Sequence, residues 1–192
     1  MVSLENKIMS EGTVADGDVL RVDCFLNHMI DVRFLSEIGR EFHRLFADCE
    51  VNKILTVEAS GIGIACVTAQ FFDCNVVFAK KSKTSNISNN VYSSVAHSYT
   101  HGNDNTLTVS RDYLSPADRV LIIDDFLARG EALHALCDIV RQSGAYLVGC
   151  GTVIEKAYQG GGDEIRMKGV RVESLARIAS MSVEDGIKFI HD

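Results

Sequence analysis

The sequence predicts an α/β fold, a mainly parallel central sheet flanked by helices, and three observations predict it. Short runs rich in branched apolar residues recur at Lys53–Glu58, Asn75–Ala79, Val120–Ile123 and Ala145–Ile154, the pattern of strands buried on both faces. Between such runs, apolar residues fall at helical spacing, as in Leu133, Leu136, Ile139 and Val140. Glycine, asparagine and aspartate separate the two patterns, and strands alternating with helices imply parallel pairing through crossovers.

The composition sets bounds on this picture. With 192 residues, 46% of them hydrophobic, the chain can bury a sizeable core, and one proline with 15 glycines leaves no long linker or low-complexity tract. One domain over residues 1–192 is expected. No apolar run approaches membrane-spanning length and the first residues lack a secretory apolar region, so a cytoplasmic location is expected. The six cysteines, Cys24, Cys49, Cys66, Cys74, Cys137 and Cys150, form no C-x-x-C pair, which points to reduced core thiols rather than zinc ligands. A formal net charge of −7 argues against broad nucleic-acid binding.

In chain order, Ser3 can cap a first helix ending near Gly12. A mixed apolar segment, Asp18–His28, carries Asp23, Asn27 and His28 in an apolar frame. By pattern alone Asn27 and His28 fit a turn that satisfies its own backbone as well as a ligand contact. Asp31 is placed to cap a helix with Phe34, Leu35, Ile38, Phe42, Leu45 and Phe46 on one face. The strand Lys53–Glu58 runs into Ala59, Ser60, Gly61 and Gly63 and a helix, an anion-ready turn whose glycines could equally serve tight packing. After the strand Asn75–Ala79 come Lys80, Lys81 and Lys83, either a solvated face or a cationic wall for a diphosphate. Ser82–Asn90 is polar enough to form a lid, and Val91–Tyr99 with Thr106–Val109 reads as a two-stranded flap outside the parallel core. A plain exposed hairpin fits the same residues.

The stretch Val120–Ala132 carries the most chemistry. Its buried strand ends in Asp124 and Asp125, followed by Phe126, Leu127, Ala128, Arg129 and Gly130, and then a helix. Ligands in open α/β sheets sit at the carboxyl ends of strands. A helix start offers free N–H groups to a phosphate, and two acids suit sugar hydroxyls or a hydrated magnesium ion. An ordinary capped strand–helix turn has the same outline. Gly144 should end that helix; Glu155 and Lys156 follow the next strand and would otherwise pass for a surface pair. Gly160, Gly161 and Gly162 read as a turn, with strands over Val170–Leu175 and Lys188–Ile190.

Four branched apolar residues, two aspartates, two apolar residues and small-x-Gly-x-small together resemble the signature that binds 5-phosphoribosyl 1-diphosphate (PRPP) in type I phosphoribosyltransferases. The likeness extends to Val19–Asp23, Phe25–His28, Val153–Lys156 and Val172–Ile178. It implies the type I phosphoribosyltransferase fold, with a small hood and a flexible flap, and transfer of the phosphoribosyl group to xanthine, releasing diphosphate. It places the 5-phosphate on the amides of Ala128, Arg129, Gly130, Glu131 and Ala132, and the ribose hydroxyls on Asp124 and Asp125. Ala59, Ser60, Lys80 and Lys81 would face the diphosphate, and Leu20, Asn27 and Lys156 the base. Magnesium would arrive with PRPP, without a direct protein ligand, and a homodimer is implied. Ala128 stands where many members carry Thr or Ser, and Glu131 brings an acid to the phosphate turn, so an outward Glu131 offset by Arg129 is expected. Guanine or hypoxanthine as the base, or a PRPP-sensing regulator, remain the alternatives.

Overall fold

The computed structural model describes residues 1–82, 90–96 and 105–191. Lys83 and most of the expected lid and flap turn, at 83–89 and 97–104, lie outside those residues. The chain runs α1 (Val2–Glu11), β1 (Thr13–Ala15), β2 (Val19–Arg21), a π-helical turn (Asp23–Asn27), α2 (Val32–Leu45), β3 (Lys53–Val57) and α3 (Ser60–Phe72). There follow β4 (Asn75–Ser82), β5 (Val91–Ala96), β6 (Asn105–Ser110), β7 (Arg119–Leu127), α4 (Glu131–Ser143), β8 (Tyr146–Lys156), α5 (Gly161–Met167), β9 (Val172–Ser182) and β10 (Gly186–Phe189).

Among the described residues, eight strands form one sheet in the order β10-β9-β8-β7-β3-β4-β6-β5. The pairs β4–β3, β3–β7, β7–β8 and β8–β9 are parallel, and the strands at both ends join antiparallel. The centre is therefore the expected parallel α/β sheet. β7 shows why its run is apolar on every residue. Leu121 and Ile123 enter one buried cluster with α2 and α3, while Val120 and Ile122 enter another with α4 and α5. A period of two with both faces covered leaves no solvated position. α2 behaves as its sequence demands: Asp31 accepts a 3.0 Å bond from the Phe34 N–H, and Phe34, Leu35, Ile38 and Phe42 are buried. Each such side chain contributes about 2 kcal/mol by leaving water.

Several boundaries differ from the sequence reading. α1 starts at Met1 without a side-chain cap, so Ser3 lies inside the helix, while Gly12 does follow its end. Asp23–Asn27 is a π-helical turn closed by the Met29 N–H on the Asp23 carbonyl (2.8 Å), so the segment is helical rather than merely turned. β4 continues through Lys80 and Lys81, because β6 pairs with Lys80, Lys81 and Ser82 and gives those residues a ladder. The β5–β6 ribbon is present as two antiparallel strands, and that pairing hangs it on the sheet edge. Residues 161–167 form α5 where a glycine turn was expected; Gly160, at φ 81°, supplies the left-handed cap. β9 begins at Val172 and runs to Ser182, since β8 supports its first half and β10 its second. β10 begins two residues earlier, and ends one earlier, than Lys188–Ile190 suggested.

Candidate active site

β3 leads through α3 to β4 on one side, and β7 leads through α4 to β8 on the other. The chain changes direction between β3 and β7, and a crevice opens outside the carboxyl ends of strands at such a point. A cleft of about 290 Å³ lies there. Val57, Glu58 and Ser60 line it from the end of β3, Asp124 and Asp125 from β7, and Ala128, Arg129, Glu131 and Ala132 from the start of α4. Lys81, Ala96, Asn105 and Leu107 close the ribbon side, and Gln159 the opposite one.

Asp124 and Asp125 are 4% and 8% exposed, which is unusual for carboxylates, and short backbone bonds hold them. The Asp125 N–H donates to Asp124 Oδ1 at 3.0 Å, and the Phe126 N–H to Asp125 Oδ1 at 3.0 Å. Burial, and then the charge of Asp125, hold the Asp124 carboxyl well above the usual carboxylate range; Lys81 opposes this from across the cleft. Gly61 brings the start of α3 against the same acid: a Cβ there would lie 3.3 Å from Asp124 Oδ1 and 2.1 Å from Thr56 Oγ1.

The turn after the acids is built from backbone. Gly130 adopts φ 86°, and α4 starts without a side-chain cap, its first helical bond running from the His134 N–H to the Gly130 carbonyl at 2.8 Å. The amides before His134 therefore keep donors for a ligand. The first residue of α5 presses on this turn, with the Gly161 N–H donating to the Ala128 carbonyl at 3.2 Å.

Beside the cleft is a second, open hollow lined by Asp23, Asn27, His28, Ala59 and Ser60, and Ser60 borders both. Asn27 links them chemically: its Nδ2 donates to Asp125 Oδ2 at 3.4 Å, while its buried Oδ1 has no partner among the described residues. Lys156 ends β8 half-buried, and burial lowers its pKa, partly countered by Asp18. Beneath it Glu155, 1% exposed, is held by Arg166 through two 2.8 Å bonds, with Arg177 Nε at 3.3 Å.

Most of the expected site residues thus converge. Asp124, Asp125, Ala128, Arg129, Glu131, Ala132, Ser60 and Lys81 border one cleft, Gly130 shapes it, and Ala59 and Asn27 border the adjoining hollow. Lys80 does not line the cleft, because side chains alternate along β4 and Lys81 takes the inward place. Leu20, at 7% exposed, packs in the core and lines neither hollow. Glu131 borders the cleft, and its charge also bears on the His134 ring one turn along. Sequence reasoning missed Glu58, whose Oε1 accepts the Lys81 N–H at 2.6 Å, as well as Gln159 and Asn105. For Glu58 the signal was available, since it stands at the carboxyl end of a strand.

Buried acids and helix-start amides thus face one cleft at the switch point of an α/β sheet. A model of the phosphoribosyl transferase domain matches residues 32–181, and the chain belongs to that family. It is 52% identical to a xanthine phosphoribosyltransferase of Lachnoclostridium phytofermentans over 186 residues, covering 97% of this chain and 96% of that one. It is 54% identical to a xanthine phosphoribosyltransferase of Clostridium tetani, covering 91% and 93%. Among solved structures, the adenine phosphoribosyltransferase of Rhodothermus marinus superposes with a TM-score of 0.72 at 21% identity, covering 92% of this chain and 99% of that one. That likeness concerns the fold alone.

Proposed function

We propose that the chain transfers the 5-phosphoribosyl group of PRPP to xanthine, giving xanthosine 5'-monophosphate and diphosphate in purine salvage. The observation that carries this reading is the cleft in which Asp124 and Asp125 face the Ala128–Ala132 turn. A ribose 5-phosphate needs anchors of opposite character at its two ends. Amides of the turn take the phosphate, and the acids take the ring hydroxyls and stabilise positive charge as the bond from C1 to the diphosphate oxygen breaks. A ring nitrogen of the base forms the new bond to C1 and gives up its proton, and the diphosphate carries away the electron pair. Ser60, Ala59 and Lys81 face the departing diphosphate.

The acid pair also suits a magnesium ion arriving on the diphosphate. Asp124 retains its proton more strongly than an ordinary carboxyl because it is buried and, after that, because Asp125 lies beside it. Such an ion would be held mainly by substrate oxygens and water. Bound there, the ion would neutralise charge on the leaving diphosphate.

For the base, Asn27 and Lys156 are the contacts. Nδ2 of Asn27 is committed to Asp125, which leaves Oδ1 as an acceptor for a base N–H, and the Lys156 ammonium donates to a 6-oxo group. Of the two, the Lys156 donor disfavours adenine, whose 6-amino group also donates. Both contacts accept guanine as well as xanthine, and the printed names of the relatives favour xanthine. Leu20 supports the base from the hood core rather than by direct lining. Residues 1–192 act as one phosphoribosyltransferase domain, assembled as a homodimer in the cytoplasm. Diphosphate release measured with PRPP, magnesium and each purine base at equal concentration tests the reading. Xanthine should give the highest kcat/KM; turnover of guanine or hypoxanthine above xanthine would replace the base assignment.

A further inference from the structure

The turn between β1 and β2 touches the far side of the molecule through one residue. Asp18 adopts φ 65°, and each of its carboxylate oxygens accepts a bond, one from the Tyr158 hydroxyl and one from the Gln159 side-chain amide. Its backbone carbonyl accepts from the Lys156 ammonium, which also lies 4.0 Å from the Asp18 carboxylate. Three side chains within four residues converge on a residue 138 to 141 positions earlier.

Stability does not account for this convergence. Val14, Leu20 and Val22 already anchor the hairpin in the apolar core, and Asp18 and Tyr158 are both exposed. Exposed ionic contacts contribute little to folding. What the contacts do settle is geometry. An ammonium has three donors, and committing one to the Asp18 carbonyl fixes the directions of the other two. The same contacts set the separation between the hairpin, which leads into Asn27, and the end of β8, which carries Lys156. Gln159 belongs to the bracket and borders the cleft, whose acids and turn amides lie on β7 and at the start of α4.

We propose that Asp18 is a positioning residue for the purine base: by accepting from Lys156, Tyr158 and Gln159 it closes the hood hairpin onto the end of β8 and aims the Lys156 ammonium at the 6-oxo group. This rests on Lys156 being a base contact, as set out above. Its consequence is selective. Loosening the bracket weakens binding of the base and leaves the phosphoribosyl anchors, which belong to β7 and α4, in place.

Steady-state kinetics on the full chain test it with Asp18→Gly, Asp18→Asn, Tyr158→Phe, the Asp18→Gly/Tyr158→Phe double variant and Lys156→Ala. Glycine suits the positive φ, so Asp18→Gly removes the carboxylate without straining the backbone. The KM for xanthine should rise about tenfold in Asp18→Gly, as expected for losing charge-assisted hydrogen bonds, while the KM for PRPP stays within about twofold. Asp18→Asn, which keeps one acceptor, should fall between. The double variant should be no worse than Asp18→Gly, because both changes remove the same contact. A xanthine KM within about twofold of the parent in Asp18→Gly overturns the proposal. So do xanthine and PRPP constants that rise together, which would mark general loosening. Lys156→Ala separates the two layers: a large rise in its xanthine KM beside an unmoved Asp18→Gly sinks the bracket alone, whereas an unmoved Lys156→Ala sinks the base contact itself.

Discussion

Gly161→Ala tests the phosphate turn without replacing any residue that lines the cleft. A Cβ on Gly161 would lie 2.3 Å from the Arg129 carbonyl carbon and 2.5 Å from the Ala128 oxygen, where ordinary contact begins near 3.4 Å. About 1.1 Å must open, the difference between 2.3 and 3.4 Å. The neighbours are backbone, so no side chain can swing aside. α5 is pinned behind by buried Ile165 and by Arg166 on Glu155, and the displacement therefore falls on the 128–130 backbone. The 3.2 Å bond from the Gly161 N–H to the Ala128 carbonyl stretches with it. Overpacking of this kind costs about 1–3 kcal/mol, which lowers Tm by roughly 5 °C in a chain of this size. A 1 Å misplacement of groups that position substrate can cost on the order of 100-fold in rate. Diphosphate release should therefore show kcat/KM for PRPP falling about 100-fold, while thermal unfolding still shows a cooperative, folded protein. Parental kcat and KM for PRPP in a folded Gly161→Ala would refute the placing of the 5-phosphate on the Ala128–Ala132 amides.

Asp125→Asn, which keeps the shape and one of the two acceptors that serve Phe126 N–H and Asn27 Nδ2 while removing the charge, should lower kcat by about 100- to 1,000-fold with circular dichroism unchanged; unaltered turnover would move the charge-stabilising role elsewhere. Asp124 carries a pH signature. Its folded pKa is raised by burial and by Asp125, so its contribution to stability is fully present below the ordinary carboxylate value of 3.8 and is lost as pH rises through the raised value. Urea unfolding from about pH 4 to about pH 8 should thus show the parent losing stability relative to Asp124→Asn as pH increases, and parallel curves would contradict the burial argument. Arg166→Met leaves buried Glu155 with Arg177 at 3.3 Å and should cost about 3 kcal/mol, a Tm loss of roughly 10 °C. An unchanged melt would mean that Arg177 alone neutralises the acid.

What the sequence disclosed, and what it hid, follows from the reach of each contact. The β7 run, Asp124 and Asp125, and the Gly130 turn are neighbours along the chain, so their joint chemistry could be read before any fold was known. The Asp31 cap and the buried face of α2 were legible for the same reason, since both arise within one or two turns of helix. Lys80 and Lys81 could not be separated by spacing alone. Whether β4 continues past Ala79 depends on β6 arriving from residues 106–108, and only that ladder decides which lysine faces inward. The glycines at 160–162 misled because the residue type has two physical causes. Gly160 is there for its left-handed backbone, as a turn would require, but Gly161 is there because the Arg129 backbone leaves no room for a Cβ. Asp18 is the extreme case. Next to Gly17 it reads as an ordinary turn residue, and nothing near it in the sequence anticipates Lys156, Tyr158 and Gln159. A contact closed across some 140 positions is specified by where the sheet carries its partners, because the hairpin and the end of β8 are brought together by the packing of the elements between them. The hairpin side of such a site is therefore where local reasoning gives out, and under the proposed role of Asp18 it is where a single substitution would retune recognition of the base without disturbing the strand-end acids.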